Sequence, residues 1–201
     1  LRAAQEGDPA GRAARLDLLA AAADGRAAHA VLTAFWRSQA VALDGGPYLE
    51  AFLDMAAPPP PPGPTPGQVL AYAELVELVQ DRSLCSLLRA RRLANARRVN
   101  DEPVLLDGLT ETCERTAPLA LSGVPPRPGP ELDRFVAVHA AARGARDTPG
   151  FRRGLADDLR DDHDARMIHY WALTEAVTGG PHLISRAHVW LFQALDLDVS
   201  S

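Results

Sequence analysis

The sequence has no lysine. All 21 of its basic residues are arginine. That excludes a Schiff-base lysine and the lysine of a phosphate-binding loop. Only two cysteines are present, Cys85 and Cys113, each beside leucines in a helical pattern and with no Cys or His at metal spacing. They read as small buried thiols of a reducing compartment rather than a disulfide or a metal pair. No apolar run approaches the roughly 18 residues of a membrane span, and no stretch before the first expected helix reads as a signal peptide. The expectation is a cytoplasmic chain with no membrane partner. No Ser or Cys sits in a GxSxG context, there is no HExxH, and Gly123–Gly129 lacks the glycine spacing of a phosphate cradle. No catalytic set and no cofactor is expected, and the chain does not read as an enzyme. Aromatics are 5% of residues, so each Trp and Tyr weighs more than usual. The surplus of Ala, Pro, Gly and Arg is of the kind GC-rich bacterial genomes encode.

What is present is apolar and helical. Hydrophobic residues make up 47% of 201, enough for a well-buried core. The formal charge of −5 argues against direct nucleic-acid binding, which needs a concentrated basic face. The one arginine cluster, Arg89, Arg91, Arg92, Arg97 and Arg98, reads as a solvated helical face. The chain begins at Leu1 rather than Met, so it reads as a piece of something longer.

Caps, stops and apolar spacing place the helices. Asp8-Pro9 starts one that Gly25 ends, with Leu16, Leu19 and Ala23 as a narrow stripe. A second covers 26–43, with Leu32, Phe35, Trp36 and Leu43, and Pro47 opens a short third through Met55. Ala56–Pro66 contains five consecutive prolines and reads as a semi-rigid polyproline spacer. Thr65-Pro66 restarts helix over 68–80. Asp81 caps a helix over 83–99 with Leu84, Leu87, Leu88 and Leu93 inward. Asn100 or Asp101 caps the next, which runs to about Leu121 and which Pro118 should end or kink. Glu131–Arg143 puts Leu132, Phe135, Val136 and His139 on one side. Thr148-Pro149 opens a helix with Phe151, Leu155 and Leu159 inward. Beyond the acidic elbow Asp161-Asp162-His163-Asp164, a helix over 165–178 is expected to face inward with Ile168, Trp171 and Ala172, Tyr170 at its flank. Ser185 is the expected cap of the last helix. No run shows period-two alternation, so the fold class is all-α. The expected form is a globin-like or irregular helical bundle preceded by a helical hairpin. Residues 1–55 would be the hairpin and possible dimerisation region, 56–66 the linker, and 67–201 an effector domain.

Two constellations suggest chemistry. Asp157-Asp158-Leu159-Arg160-Asp161 has the DDxxD spacing with which helical enzymes hold magnesium, and His163, Asp164 and His169 lie within two turns of one another. Both also fit a solvated acidic turn, and no metal ligand set is assigned. A metal-dependent all-α enzyme using Asp157–Asp164 is the alternative function. The other constellation is aromatic. Tyr170, Trp171, His182, His188 and Trp190 lie close in sequence, and aromatic walls with polar tips suit a small-molecule pocket between helices. Plain core is the competing reading for Trp171, Trp190 and His139.

From Val99 to Leu195 the pattern resembles the all-α effector domains of MerR-type bacterial regulators, of the thiopeptide-recognition and albicidin-binding kind. The similar elements are Gly123-Val124-Pro125-Pro126 before a helix, a helix carrying His139, Gly154-Leu155-Ala156, Asp161, Arg166 with His169-Tyr170, and a terminal helix. Residues 9–43 resemble the dimerisation helix of that family, although Gly25 interrupts it. The aromatic segment that usually follows the His139-type helix is replaced by the small, charged Ala140–Asp147. The Arg-Tyr-Tyr turn of the DNA-binding head is absent from the chain. The resemblance implies a small-molecule-sensing, dimerising region that binds a hydrophobic ligand or antibiotic. It would act as a homodimer and reach DNA only through a domain outside this chain. The pocket candidates are Tyr72, His139, Tyr170, Trp171 and Trp190. A TetR-type ligand-binding domain would share these expectations except for the family.

Overall fold

The computed structural model describes residues 25–39, 47–160 and 164–200. The expected first helix, the 40–46 junction and Asp161–His163 of the acidic elbow lie outside the described residues. Within them the protein is all-α, with no strand. The helices are α1 Gly25–Gln39, α2 Pro47–Ala56, α3 Pro66–Gln80, α4 Arg82–Arg98, α5 Glu102–Leu121, α6 Pro130–Ala142, α7 Pro149–Leu159, α8 Ala165–Thr178 and α9 Leu183–Val199. None is long and apolar enough to cross a membrane.

Local chemistry sets most of these boundaries. Thr65 and Gln68 form a capping box at α3: the Gln68 amide donates to Thr65 Oγ1 (3.3 Å), and the Thr65 amide donates to Gln68 Oε1 (2.9 Å). Asp81 Oδ1 accepts the amides of Ser83 and Leu84 at the start of α4. Asp101 accepts from Val104, and Thr148 from Phe151. Gly144 and Gly179 take left-handed backbone, φ 62° and 78°, just beyond α6 and α8. One expectation is corrected. The last helix starts at Leu183, with His182 at its cap position and no side-chain cap bond, so Ser185 lies inside it. As expected, α5 runs to Leu121, with Pro118 in its last turn. A proline so near the C-terminus removes only one late hydrogen bond.

The described residues fall into two compact units. One draws on residues up to Arg89 together with Ile168–Gly180; the other comprises Ala90–Met167 and Pro181 onward. The grouping differs from the segments read from the sequence, since α3, the start of α4 and most of α8 belong with α1 and α2.

In the first unit α1 packs on α2 and α3. Its core includes Leu32, Trp36, Leu53, Tyr72, Leu75, Val76, Val79, Leu84, Tyr170 and Val177. Each fully buried leucine here contributes about 1.5–3 kcal/mol. On the part of α8 that belongs to this unit the buried positions are Tyr170, Leu173, Thr174 and Val177, one helical stripe. The expected face of α8 is thereby rotated: Ile168 is 49% exposed, Ala172 is exposed, Trp171 is half-buried, and Tyr170 is fully buried. The proline-rich stretch is not a solvent-spanning spacer along its first residues. Ala56, Ala57 and Pro58 are buried, and Pro60 lies against Gly25, where an added Cβ would come within 3.1 Å of the ring.

In the second unit α9 and α6 pack on α5, and α7 packs on α9 and α6. The core is Cys113, Ala117, Leu132, Phe135, Val136, Leu155, Leu159, Trp190, Leu191, Phe192 and Leu195. Gly108 permits the close approach of α5 to α6, because a Cβ there would sit 2.7 Å from both methyls of Val138. The amides of Asn100 and Asp101 donate to the carbonyl of Ala142, and Asn100 Nδ2 donates to that of Arg143. The free carbonyls at the end of α6 are thereby satisfied. Leu93, expected inward on α4, is 48% exposed.

Candidate functional site

The first unit gathers the scarce aromatics. Trp36 on α1 is buried at 5% exposure. Four rings surround it: Phe35 at 5.1 Å, Tyr170 at 5.3 Å, Phe52 at 5.4 Å and Trp171 at 5.9 Å between centroids. The first three meet it edge-to-face and Trp171 stacks at 26°, the geometries a ring quadrupole favours. Phe35, Phe52 and Trp171 are half-buried.

Beneath these rings runs a chain of hydrogen bonds. Trp36 Nε1 donates to Tyr170 Oη (2.6 Å), and Tyr170 Oη donates to the carbonyl of Ala56. The next two carbonyls are also taken: His29 Nε2 donates to Ala57 (3.0 Å) and Tyr72 Oη to Pro58 (3.1 Å). The reason lies in the sequence. Pro58–Pro62 cannot continue α2, so the carbonyls of 56–58 have no helical partner, and buried carbonyls without one are costly. Burial pushes the Tyr170 and Tyr72 hydroxyls well above the usual tyrosine range. Both remain protonated donors.

Of the five pocket candidates, Tyr72, Tyr170 and Trp171 therefore fall in this unit, and Tyr72 and Tyr170 serve the same backbone run. His139 and Trp190 fall in the other unit. Trp190 is 4% exposed, and its Nε1 donates to the carbonyl of Val124 (2.7 Å). His139 is 3% exposed, edge-on to Phe135 at 4.6 Å. Arg143 Nη1 approaches His139 Nδ1 at 2.7 Å. A guanidinium can only donate, so Nδ1 accepts and the imidazole proton resides on Nε2. Burial first, then the charges of Arg143, His188 and Arg91, hold His139 well below the usual histidine range and keep it neutral. Its Nε2 and the Nε of Arg143 are buried without a hydrogen-bond partner.

The second unit also carries an arginine hub. Arg152 on α7 reaches Asp147 (2.6 Å), Asp133 (2.8 Å) and Asp198 (3.1 Å). It lines an open groove of about 460 Å³ with Asp147, Thr148, Pro149, Arg153, Asp198 and Val199. With its charge matched by three carboxylates, Arg152 reads as a clip joining the 147 loop to α6, α7 and α9. Of the DDxxD carboxylates, Asp157 pairs with Arg160 (2.8 Å) and Asp158 with Arg98. Among the described residues no group of three or more His, Cys, Asp or Glu is placed to hold a metal ion.

Sequence reading missed Trp36, His29, Phe52 and Arg143 as parts of these constellations. Trp36 carried a signal, a lone Trp on a narrow stripe in a chain poor in aromatics. The others carried none. Comparisons of the chain with known protein families, with curated proteins and with solved structures find no match.

Proposed function

We propose that the chain is the small-molecule-sensing and dimerisation region of a bacterial transcription regulator similar to the MerR family, its DNA reader lying outside this chain. The observation that carries the reading is the concentration of scarce rings around Trp36. Phe35, Phe52 and Trp171 are half-buried around it, and a hydrophobic ligand would pack against this group of rings. Behind them, Trp36 and Tyr170 tie α1, α8 and the end of α2 together through buried hydrogen bonds. A ligand that favours one setting of these rings favours one packing of α1 and α2. A homodimer built on the N-terminal helices converts that preference into a change of geometry at the DNA reader. This is a population shift, and its size is set by the ligand's differential affinity for the two packings.

Titration of tryptophan emission with a panel of hydrophobic antibiotics tests the proposal. A binder should quench or shift the emission, and Trp171→Phe should remove most of that response while Trp190→Phe keeps it. No response to any compound, or a response untouched by Trp171→Phe, would overturn the reading.

A further inference from the structure

From the solvent-facing side of α4 we infer a docking surface for the phosphodiester backbone of a nucleic acid. The inference rests on this one helix and is independent of the sensing reading, which rests on the rings around Trp36. The formal charge of −5 is a sum over the whole chain, and α4 stands apart from it. Its 17 residues hold six of the 21 arginines and none of the 26 acidic residues. Leu84 and Leu88 are buried and turn one side of the helix inward. Arg82, Arg89 and Arg97 are exposed on the other side. At 3.6 residues per turn they lie within about 80° of one another, spread over about 22 Å of helix. Among the described residues none of the three has an ion-pair partner. The carboxylates that flank the helix are engaged elsewhere: Asp81 caps α4 and Asp101 caps α5.

The rest of the face selects the occupant. An anionic membrane would need large apolar or aromatic side chains to enter the acyl boundary, and Leu84 and Leu88 are turned into the protein. A protein partner would need anchors for a dry interface core, and the face offers Leu93 alone, 48% exposed. A nucleic-acid backbone needs neither. It presents a continuous line of phosphates to cations, and a guanidinium pairs with phosphate oxygens through two parallel hydrogen bonds. The other exposed positions between the arginines include the small Ser86, Ala90 and Ala96, which let a backbone approach the helix closely. Phosphate contacts carry no sequence information. In a regulator, α4 would add hold to a site whose bases are read by another domain.

The probe is a fluorescent DNA duplex of about 20 base pairs and arbitrary sequence, titrated with the full chain in NaCl from about 50 to 200 mM. Its anisotropy should rise on binding. The logarithm of the binding constant should fall with that of the salt concentration with a slope of about −2.7, as three phosphate contacts require. Arg82→Gln, Arg89→Gln and Arg97→Gln should each reduce the slope by about 0.9, and the triple variant should bind about tenfold more weakly, or weaker still, at the lowest salt. All three positions are exposed, so circular dichroism should show the variants folded. Arg115→Gln, at an exposed arginine of α5, should leave the slope unchanged. The proposal is overturned if about 100 μM chain gives no rise at the lowest salt, or if the triple variant binds as the native chain does. It is equally overturned if poly-L-glutamate displaces the probe as well as unlabelled duplex does, which marks an acidic protein partner. Equal binding to phosphatidylserine vesicles, which marks a membrane surface, overturns it too.

Discussion

The two units treat the polar tips of their buried aromatic and histidine side chains differently. In the first, the polar tips of Trp36, Tyr170, Tyr72 and His29 all find partners, three of them on consecutive carbonyls that prolines have stranded. In the second, Trp190 is satisfied through Val124, but His139 and Arg143 bond to each other and leave two donors unmet. A buried polar network whose members are paired with one another favours a single packing, whereas an unpaired buried donor costs stability. Residues that look alike in the sequence are thus held differently. The Tyr170 hydroxyl both accepts and donates a hydrogen bond. His139, almost as buried, has one ring nitrogen bonded and the other without a partner.

The contrast can be broken most forcefully at Trp36. Trp36→Ala removes the ring on which Phe35, Phe52, Tyr170 and Trp171 converge and leaves Tyr170 Oη without its donor. Urea unfolding should show a loss of about 3–5 kcal/mol. Tyr170→Phe keeps the ring but strands the Trp36 indole and the Ala56 carbonyl, and should cost about 2–3 kcal/mol. A double-mutant cycle of Trp36→Phe with Tyr170→Phe should give a coupling of about 1 kcal/mol. Independent, additive losses would mean the hydrogen bond does not join the two residues in solution.

A smaller effect separates His139 from the rest. Its folded pKa lies below the unfolded value of about 6.5. Between the two the unfolded chain binds a proton that the folded chain does not. This contribution to stability is therefore complete above about pH 7 and is lost as pH falls through 6.5 toward the folded value. The slope cannot exceed about 1.4 kcal/mol per pH unit. Stability measured between pH 7.5 and 5 should fall for the native protein and fall less for His139→Gln. Parallel curves would show that His139 is not held neutral by folding, and the supposed deficit in the second unit would vanish with it.

How much of this was legible in the sequence follows the range of the interactions. Helix starts at Thr65, Asp81, Asp101 and Thr148 were readable because a cap acts within three residues. The inward side of α6 was readable because Leu132, Phe135, Val136 and His139 repeat at helical spacing. The aromatic centre was not, because Trp36 and Tyr170 are separated by 134 positions and Tyr170 and Ala56 by 114. The proline stretch misled for a related reason. Proline forbids helix, but it does not forbid burial when distant side chains supply the donors. His139 was singled out by its place on an apolar face. Its deficit was invisible, since an absent acceptor leaves no mark in a sequence.

The finest test concerns the face of α8. Apolar identity alone places Ile168 inward, whereas the folded helix leaves it 49% exposed and buries Leu173 and Val177 instead. Ile168→Gln should therefore change the unfolding free energy from urea titration by no more than about 0.5 kcal/mol, the range of ordinary surface substitutions. Leu173→Ala on the same helix should cost about 2–4 kcal/mol. Comparable losses at the two positions would rotate α8 back toward the pattern its sequence suggests and withdraw Tyr170 from the centre of the first unit. If Ile168→Gln left stability unchanged at low protein concentration but lowered the midpoint at high concentration, the exposed side chain would be covered by a second copy of the chain.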